Sequence, residues 1–184
     1  GRVAGKINAP ASKSSMQRAC AAALLCGRTS TLLNPGDSND DRAALSIIKQ
    51  LGAEVMPFED AYLIKPLSSF FINSPLEISA GESGLSVRMF TPITSLFDKE
   101  IKVKGNGSLL TRPMEGFAEI FNQLGIKYTS NNDKLPVTIC GPLIPRTIEI
   151  DGSLSSQYLT GILMAYSAAK AKDVTIFVNG LKSK

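Results

Sequence analysis

The sequence predicts a mixed α/β (α+β) fold built from repeated βαβαββ units. Segments typical of strands and helices recur in the same order along the 184 residues. The small-residue turns that open the first helix of each round contain Ser12, Ser83 and Ser153, at intervals of about 70 residues. The string Gln-Leu-Gly ends a helix-like segment at 50–52 and again at 123–125. A fixed period of this length indicates repeated supersecondary units of a split βαβ kind.

The composition indicates a globular chain with a substantial core and excludes several classes of protein. Hydrophobic residues make up 43% and charged residues 20%, with a net charge of +4. The chain is therefore neither disordered nor a strongly basic nucleic-acid arm, and we expect no nucleic-acid partner. Histidine is absent, which excludes a Ser-His-Asp triad and a His-ligated metal within this chain. We accordingly expect no metal site.

The cysteines and the apolar runs favour a cytoplasmic protein. The number of cysteines is odd, and none of them forms a Cys-x-x-Cys pair, which indicates reduced thiols at Cys20, Cys26 and Cys140. We place Cys20 and Cys26 in the core, because both lie in an alanine-rich helical segment. No apolar run reaches the about 18 residues that a membrane span requires, and the N-terminal residues lack a signal-peptide pattern.

The first round of elements occupies about residues 1–72. Weak alternation predicts a short strand at the N-terminus, and serine caps after Pro10 predict the first helix, which stops at Gly27. The second helix has aspartates at its start and one apolar face. The predicted elements are a strand at 1–9, a helix at 14–26, a strand at 29–33, a helix ending at 51, and a hairpin of 54–58 with 61–66.

The second round occupies about residues 73–145, and the third, 146–184, is incomplete. Pro92 predicts a kink or irregularity in the third helix. The predicted elements are strands at 76–80, 101–104, 126–130, 136–140, 147–150 and 174–178, and helices at 85–97, 114–124 and 155–169. Because the third round lacks a second helix and a hairpin, we expect this chain to be a piece of a longer polypeptide.

The first helix of each round starts with features suited to an anion. Unpaired N–H groups and the helix dipole favour negative charge at a helix N-terminus. Lys13 and Arg18 lie near the first such start, Arg88 near the second, and Ser155 to Gln157 form the third. Pseudo-symmetric packing would point the three starts the same way, which predicts a site for a small polyanion. Asp37, Asp40 and Asp41 are interpreted as helix caps rather than as an acid/base pair.

Six segments, in chain order, resemble the 5-enolpyruvylshikimate-3-phosphate synthase family. The segments are GKINAPASKS at 5–14, DSNDDR at 37–42, GESGLSVR at 81–88, TRP at 111–113, DGSLSSQYLT at 151–160 and GLKSK at 180–184. The resemblance covers the whole chain, which corresponds to roughly the first half of the family's length. It implies one domain of an inside-out α/β barrel made of three βαβαββ units, with the second domain absent.

The resemblance also implies an activity and its participants. The family moves an enolpyruvyl group from phosphoenolpyruvate to the 5-hydroxyl of shikimate 3-phosphate, in the shikimate pathway of aromatic amino acid biosynthesis, without a metal or organic cofactor. The family's acidic proton-transfer residues lie in the half that is absent here. We therefore expect this chain to be the shikimate-3-phosphate-binding domain and to be inactive alone.

Individual roles follow from the resemblance residue by residue. Lys13 is implied as the catalytic residue that contacts both substrates. Gly84, Arg88 and Arg112 are implied to bind phosphoenolpyruvate. The residues implied to bind shikimate 3-phosphate are Ser14, Arg18, Ser155, Ser156, Gln157 and Ser183.

Three positions depart from the family's usual pattern. Ala11 replaces a glycine, and Glu82 and Leu85 replace an asparagine and a threonine. Glu82 brings a negative charge to the expected anion site, which bears on phosphoenolpyruvate affinity and on sensitivity to its analogue glyphosate.

Two other functions are compatible with parts of the sequence. One is the related enolpyruvyl transferase that acts on UDP-N-acetylglucosamine, although Ser12 to Ser14 and Ser155 to Gln157 match the shikimate pattern better. The other is a non-catalytic repeat module that binds RNA or another phosphorylated partner, against which the modest charge argues.

Overall fold

The structure is a computed structural model that describes residues 1, 3–7 and 9–181. Five α-helices, nine strands and one 3₁₀ helix lie in the described part of the chain. The helices are α1 (Lys13–Leu25), α2 (Asn39–Gln50), α3 (Gly84–Thr94), α4 (Phe117–Leu124) and α5 (Ser156–Ala168), and the 3₁₀ helix is Gly107–Thr111. The strands are β1 (Ser30–Leu33), β2 (Glu54–Phe58), β3 (Ala61–Lys65), β4 (Leu76–Ser79), β5 (Glu100–Lys104), β6 (Lys127–Asn131), β7 (Lys134–Cys140), β8 (Ile148–Asp151) and β9 (Ile176–Asn179).

The strands form three separate sheets, one after another along the chain. The first is antiparallel with the order β1-β3-β2, in which Leu32 lies opposite Tyr62. The second has the order β4-β5-β7-β6, with β4 and β5 parallel and Ile78 beside Val103. The third is the parallel pair β8-β9. Parallel neighbours joined by α3 and by α5 are the βαβ units that the repeat predicts.

Helix α3 is the centre of the core. Val87, Met89, Phe90 and Ile93 are fully buried, and even its threonines Thr91 and Thr94 are inaccessible. A helix that is buried on most of its sides must be surrounded by other elements, and α3 indeed packs against α1, α2, α5 and the second sheet. The first helices of the three rounds, α1, α3 and α5, thus lie side by side.

Helix α3 ends at Thr94, three residues earlier than predicted. Pro92 has no N–H to donate within the helix, and the last turn tightens to i→i−3 bonds, as from Ser95 N–H to the Pro92 carbonyl at 3.2 Å. Leu143 N–H then donates to the Ser95 carbonyl at 2.7 Å, so the chain after β7 closes this end.

Helix α4 begins at Phe117 rather than at 114. Met114 N–H donates to the Asp133 carbonyl at 2.6 Å, which holds this residue against the β6–β7 turn. Gly116 then adopts a left-handed conformation with φ of 89° and serves as the N-cap. A residue with a side chain would be strained there, so this glycine fixes the start of the helix.

Two predictions about the N-terminal region are wrong. No strand forms among the described residues of 1–9, where Val3 and Ile7 are 100% and 94% exposed, because none of the described strands runs alongside to pair with them. Cys26 is exposed rather than in the core, because α1 ends one residue earlier and leaves Cys26 as its C-cap. Cys20 is fully buried, as predicted.

Candidate anion-binding site

The start of α1 is joined to the start of α2 by an ion pair. Ser12 caps α1 by accepting the Ser15 N–H at 3.4 Å, and the next residue, Lys13, lies 2.9 Å from Asp40 (Nζ to Oδ2). The hydrogen bond and the charge of Asp40 raise the pKa of Lys13 above its ordinary value. The ammonium group is therefore charged at neutral pH and remains solvent-accessible, with a side chain 56% exposed.

Among the aspartates before and within α2, Asp41 takes part in capping, as predicted, whereas Asp37 and Asp40 form ion pairs instead. Asp41 and Ser38 form a reciprocal capping box, in which Ser38 accepts the Asp41 N–H and Asp41 accepts the Ser38 N–H at 3.0 Å. Asp37 accepts two hydrogen bonds from Arg42, both at 2.8 Å, which lower the pKa of its carboxyl group. These carboxylates are committed to local structure and not to an acid/base pair.

Ser14 and Arg18 share the exposed face of α1. Arg18 Nη1 donates to the Ser14 carbonyl at 3.1 Å, one turn earlier. The guanidinium group therefore lies along the first turns of α1, close to the backbone of the serine with which it was expected to act.

The guanidinium groups of Arg88 and Arg112 meet at Gly84, the first residue of α3. A methyl group built on Gly84 would lie 3.0 Å from Arg88 Nη1 and 3.1 Å from Arg112 Nη1. Arg88 Nη1 also donates to the Gly84 carbonyl at 3.3 Å. In the described residues, neither arginine forms an ion pair with a carboxylate. Two arginine side chains without a paired carboxylate, at a helix N-terminus, have the chemistry to hold a small anion.

Glu82 lies beside this cluster, but its carboxylate has its own donor. Glu82 Oε2 accepts the Ser108 N–H at 3.3 Å, at the start of the 3₁₀ helix that ends just before Arg112. Gly107 is equally close, since a Cβ there would lie 2.5 Å from that carboxylate oxygen. The negative charge that replaces the family's usual asparagine therefore holds the segment that carries Arg112.

Gln17 links the starts of α1 and α3, a role that the sequence alone did not predict. Its side chain is 1% exposed, its Oε1 accepts the hydroxyls of Ser83 and Ser86 at 2.7 and 2.9 Å, and its Nε2 donates to the Lys13 carbonyl at 3.2 Å. Ser83 is also the N-cap of α3. The available signal in the sequence is weak: a glutamine one turn after a serine cap, between Met16 and Arg18.

The third helix start is held against the second by close packing. Ser155 caps α5 and accepts the Gln157 N–H at 3.2 Å, while Ser155, Ser156 and Gln157 are all half-buried. Gly161 lets α5 approach α3, because a Cβ there would lie 2.6 Å from the Met89 carbonyl oxygen. Helices α1, α3 and α5 are thus in direct contact within about their first two turns. Ser183 lies outside the described residues.

Two further features bear on the chemistry of the site. In residues 1, 3–7 and 9–181 no cluster of three or more His, Cys, Asp or Glu side chains is arranged to hold a metal. No helix in the same part of the chain is both long and apolar enough to cross a membrane.

The fold and the site together define a class: α/β domains of repeated units in which helix N-termini and arginine side chains lie close together. Within that class the chain belongs to the EPSP synthase family. The sequence model of this family, described as EPSP synthase (3-phosphoshikimate 1-carboxyvinyltransferase), matches residues 1–184.

Individual relatives agree with the family match. The chain is 34% identical over its full length to a 3-phosphoshikimate 1-carboxyvinyltransferase of Methanocorpusculum labreanum, and 31% identical over 98% of its length to one of Clostridium novyi. It covers 44% and 43% of those two proteins. The fold matches EPSP synthase from Acinetobacter baumannii with a TM-score of 0.72, over 88% of this chain and 37% of that one, at 24% identity.

Proposed function

We propose that this chain is the shikimate-3-phosphate-binding part of an enolpyruvyl transferase. The whole protein would move the enolpyruvyl group of phosphoenolpyruvate to the 5-hydroxyl of shikimate 3-phosphate and release inorganic phosphate, within aromatic amino acid biosynthesis. The observation that carries this proposal is the convergence of Arg88 and Arg112 at Gly84, with no carboxylate of the described residues paired to either.

The arginine pair suits phosphoenolpyruvate, which carries a phosphate and a carboxylate. Forked guanidinium donors bind both groups with defined geometry, and the open Cα of Gly84 leaves room for the ligand between them. Lys13, exposed and fully charged, would contact both substrates and stabilise charge that develops on the transferred group.

Shikimate 3-phosphate would bind across the starts of α1 and α5. In this proposal Ser14 and Arg18 contact it from α1, and Ser155, Ser156 and Gln157 contact it from α5. Unpaired N–H groups at the α5 start favour the phosphate. We extend the same proposal to Ser183, on the resemblance alone.

The organisation of the protein belongs to the same proposal. We assign units of about 1–72, 73–145 and 146–184 to one domain, and expect a second domain from the remainder of the enzyme to supply the proton-transfer groups. The free thiols of Cys20, Cys26 and Cys140 fit a cytoplasmic protein. We propose no organic cofactor, metal or nucleic acid as a participant.

Calorimetric titration of this chain with shikimate 3-phosphate tests the proposal. We expect saturable binding that weakens roughly tenfold in Arg18→Ala and in Ser156→Ala, since each removes a contact to a charged group. Ser167→Ala, an exposed position near the other end of α5, is the matched control and should bind like the wild type. Equal binding by all four proteins would contradict the assigned site.

Two controls separate the proposal from other functions. UDP-N-acetylglucosamine and single-stranded RNA should not compete with shikimate 3-phosphate. A folded chain that binds neither substrate, alone or with the remainder of the enzyme added in trans, would overturn the proposed function.

A further inference from the structure

Arg88 is contacted by a tyrosine from a different helix, 70 residues further along the chain. Its Nε donates to Tyr158 Oη at 3.3 Å, and its guanidinium carbon lies 5.7 Å from the centre of the tyrosine ring. The other end of the guanidinium reaches the Gly84 carbonyl through Nη1. Arg88 is therefore held at two of its nitrogens, one by its own helix and one by α5.

Tyr158 is itself rigidly placed. It is 4% exposed, and its ring packs edge-on against Phe117, with ring centres 4.6 Å apart and an interplanar angle of 87°. The close crossing of α3 and α5 at Gly161, one turn further on, fixes the backbone from which it extends. A side chain confined in this way can restrict the orientation of the group to which it is hydrogen-bonded.

The chemistry of the contact suits an arginine that must bind an anion. A carboxylate would orient Arg88 equally well but would also neutralise it, whereas a phenol accepts a hydrogen bond and stays uncharged. Burial raises the pKa of Tyr158 further above neutral pH, so the hydroxyl remains protonated. The contact therefore orients the guanidinium and leaves its whole positive charge for a ligand.

We propose that Tyr158 is a positioning residue that holds Arg88 in the orientation needed to meet an anion at Gly84. The inference rests on the proposed function, in which that anion is phosphoenolpyruvate. Tyr158 would not touch the ligand, and its effect would be transmitted through Arg88 alone.

The test compares two tyrosines on the same helix. Tyr166 is also 4% exposed, and its hydroxyl also makes one hydrogen bond, donating to the Arg146 carbonyl at 2.7 Å. That hydrogen bond does not involve Arg88. Tyr158→Phe and Tyr166→Phe each remove one hydroxyl and keep the ring. Two quantities are measured on the whole chain: hydrogen exchange of the Arg88 side-chain Nε–H by NMR, assigned with Arg88→Lys, and the Kd for phosphoenolpyruvate by calorimetry.

We expect Tyr158→Phe alone to speed exchange of the Arg88 Nε–H severalfold and to raise the Kd roughly tenfold, as loss of a hydrogen bond to a charged group does. Unchanged exchange in Tyr158→Phe would overturn the proposal, as would faster exchange with an unchanged Kd. Equal changes in Tyr166→Phe would reduce the effect to general loosening of α5 and also overturn it. If the wild type binds no phosphoenolpyruvate, the titrations are repeated with the remainder of the enzyme added in trans. If it still binds neither substrate, that result contradicts the proposed function instead, and the exchange comparison by itself decides whether Tyr158 holds Arg88.

Discussion

Gln17 is a single buried residue on which two helix starts depend. Its side-chain oxygen Oε1 accepts hydrogen bonds from two buried hydroxyl groups, those of Ser83 and Ser86. Replacement by leucine keeps the size of the side chain but leaves both hydroxyls without an acceptor. Because an unsatisfied buried hydroxyl costs about 1–3 kcal/mol, we expect Gln17→Leu to lower the free energy of unfolding by about 2–4 kcal/mol.

Urea unfolding followed by circular dichroism measures that loss. Gln50→Leu is the control, because Gln50 also bonds a serine side chain, Ser46 at 3.1 Å, but on the exposed surface of α2. It should change the free energy of unfolding by less than about 0.5 kcal/mol. If both variants lowered the free energy of unfolding by similar amounts, the buried hydrogen bonds of Gln17 would contribute no more to stability than the exposed one of Gln50.

The two cysteines of the α1 region should differ sharply in reactivity. Burial raises the pKa of Cys20 to about 12. Cys26 is exposed; slight burial opposes ionisation, but the hydrogen bond with the Ser30 hydroxyl, local backbone hydrogen bonds and the charge of Arg28 together outweigh it and lower the pKa of the thiol. The thiolate is the reactive form, so more of Cys26 than of an ordinary thiol is reactive at neutral pH.

Alkylation with iodoacetamide, mapped by mass spectrometry, checks this difference. We expect Cys26 to be modified at pH 7.5 while Cys20 stays unmodified in the folded chain, with a rate that rises with pH and reaches half its maximum at a lower pH than an ordinary thiol. Ser30→Ala should shift that profile to higher pH. Modification of Cys20 at the rate of Cys26 would contradict the buried position.

At the scale of the elements, the crossing of α3 and α5 depends on one glycine. Alanine is normally better than glycine in a helix by about 1 kcal/mol. At Gly161, however, an added Cβ would lie 2.6 Å from the Met89 carbonyl oxygen, and the backbone there cannot yield cheaply. We therefore expect Gly161→Ala to destabilise the chain by about 1–3 kcal/mol, the usual cost of overpacking.

The same change should disturb the site. Separating the helices pulls Tyr158 away from Arg88, so the Arg88 Nε–H should exchange faster in Gly161→Ala. Ser167→Ala, on the exposed side of α5, should alter neither property. A Gly161→Ala variant as stable as the wild type would contradict the close crossing.

The elements themselves were largely predictable, because their signals are local. Serine caps before α1, aspartates at the start of α2, glycine stops and apolar periodicity placed the helices within a few residues, although the N-cap of α2 is Ser38. The contacts that build the site were not predictable, since Gln17 meets Ser83 across 66 residues and Arg88 meets Tyr158 across 70. Periodicity specifies which face of a helix is buried and does not specify which polar side chains meet across that face.

The errors have the same origin. The alternation at residues 1–9 is a valid strand signal, but a strand also needs a neighbour, which is a property of the whole molecule. Cys26 follows an alanine-rich apolar segment and was therefore placed in the core. It is exposed because α1 ends one residue before it. The expected effect of Glu82 on the anion site stays a prediction; the structure adds that its carboxylate accepts a hydrogen bond from the Ser108 N–H.

At the scale of the whole molecule, the third sheet has edges that the described residues do not cover. Strand β9 pairs with β8 alone, and Phe177 on β9 is 56% exposed. An exposed edge strand bearing a large apolar side chain offers unpaired backbone groups to another chain. We expect this chain to self-associate with increasing concentration through β9, and we expect Phe177→Lys to weaken that association at least about tenfold, because a lysine on an edge strand opposes pairing.

Sedimentation velocity over a range of concentrations measures this association directly. Phe71→Lys is the control: Phe71 is 63% exposed but lies in a loop outside every strand, so its replacement removes similar apolar surface without touching an edge. If both lysine variants reduce association equally, exposed apolar area rather than the β9 edge drives it. If Phe177→Lys alone restores the monomer, strand pairing is the cause, and the same edge is where further β-structure would add to this domain.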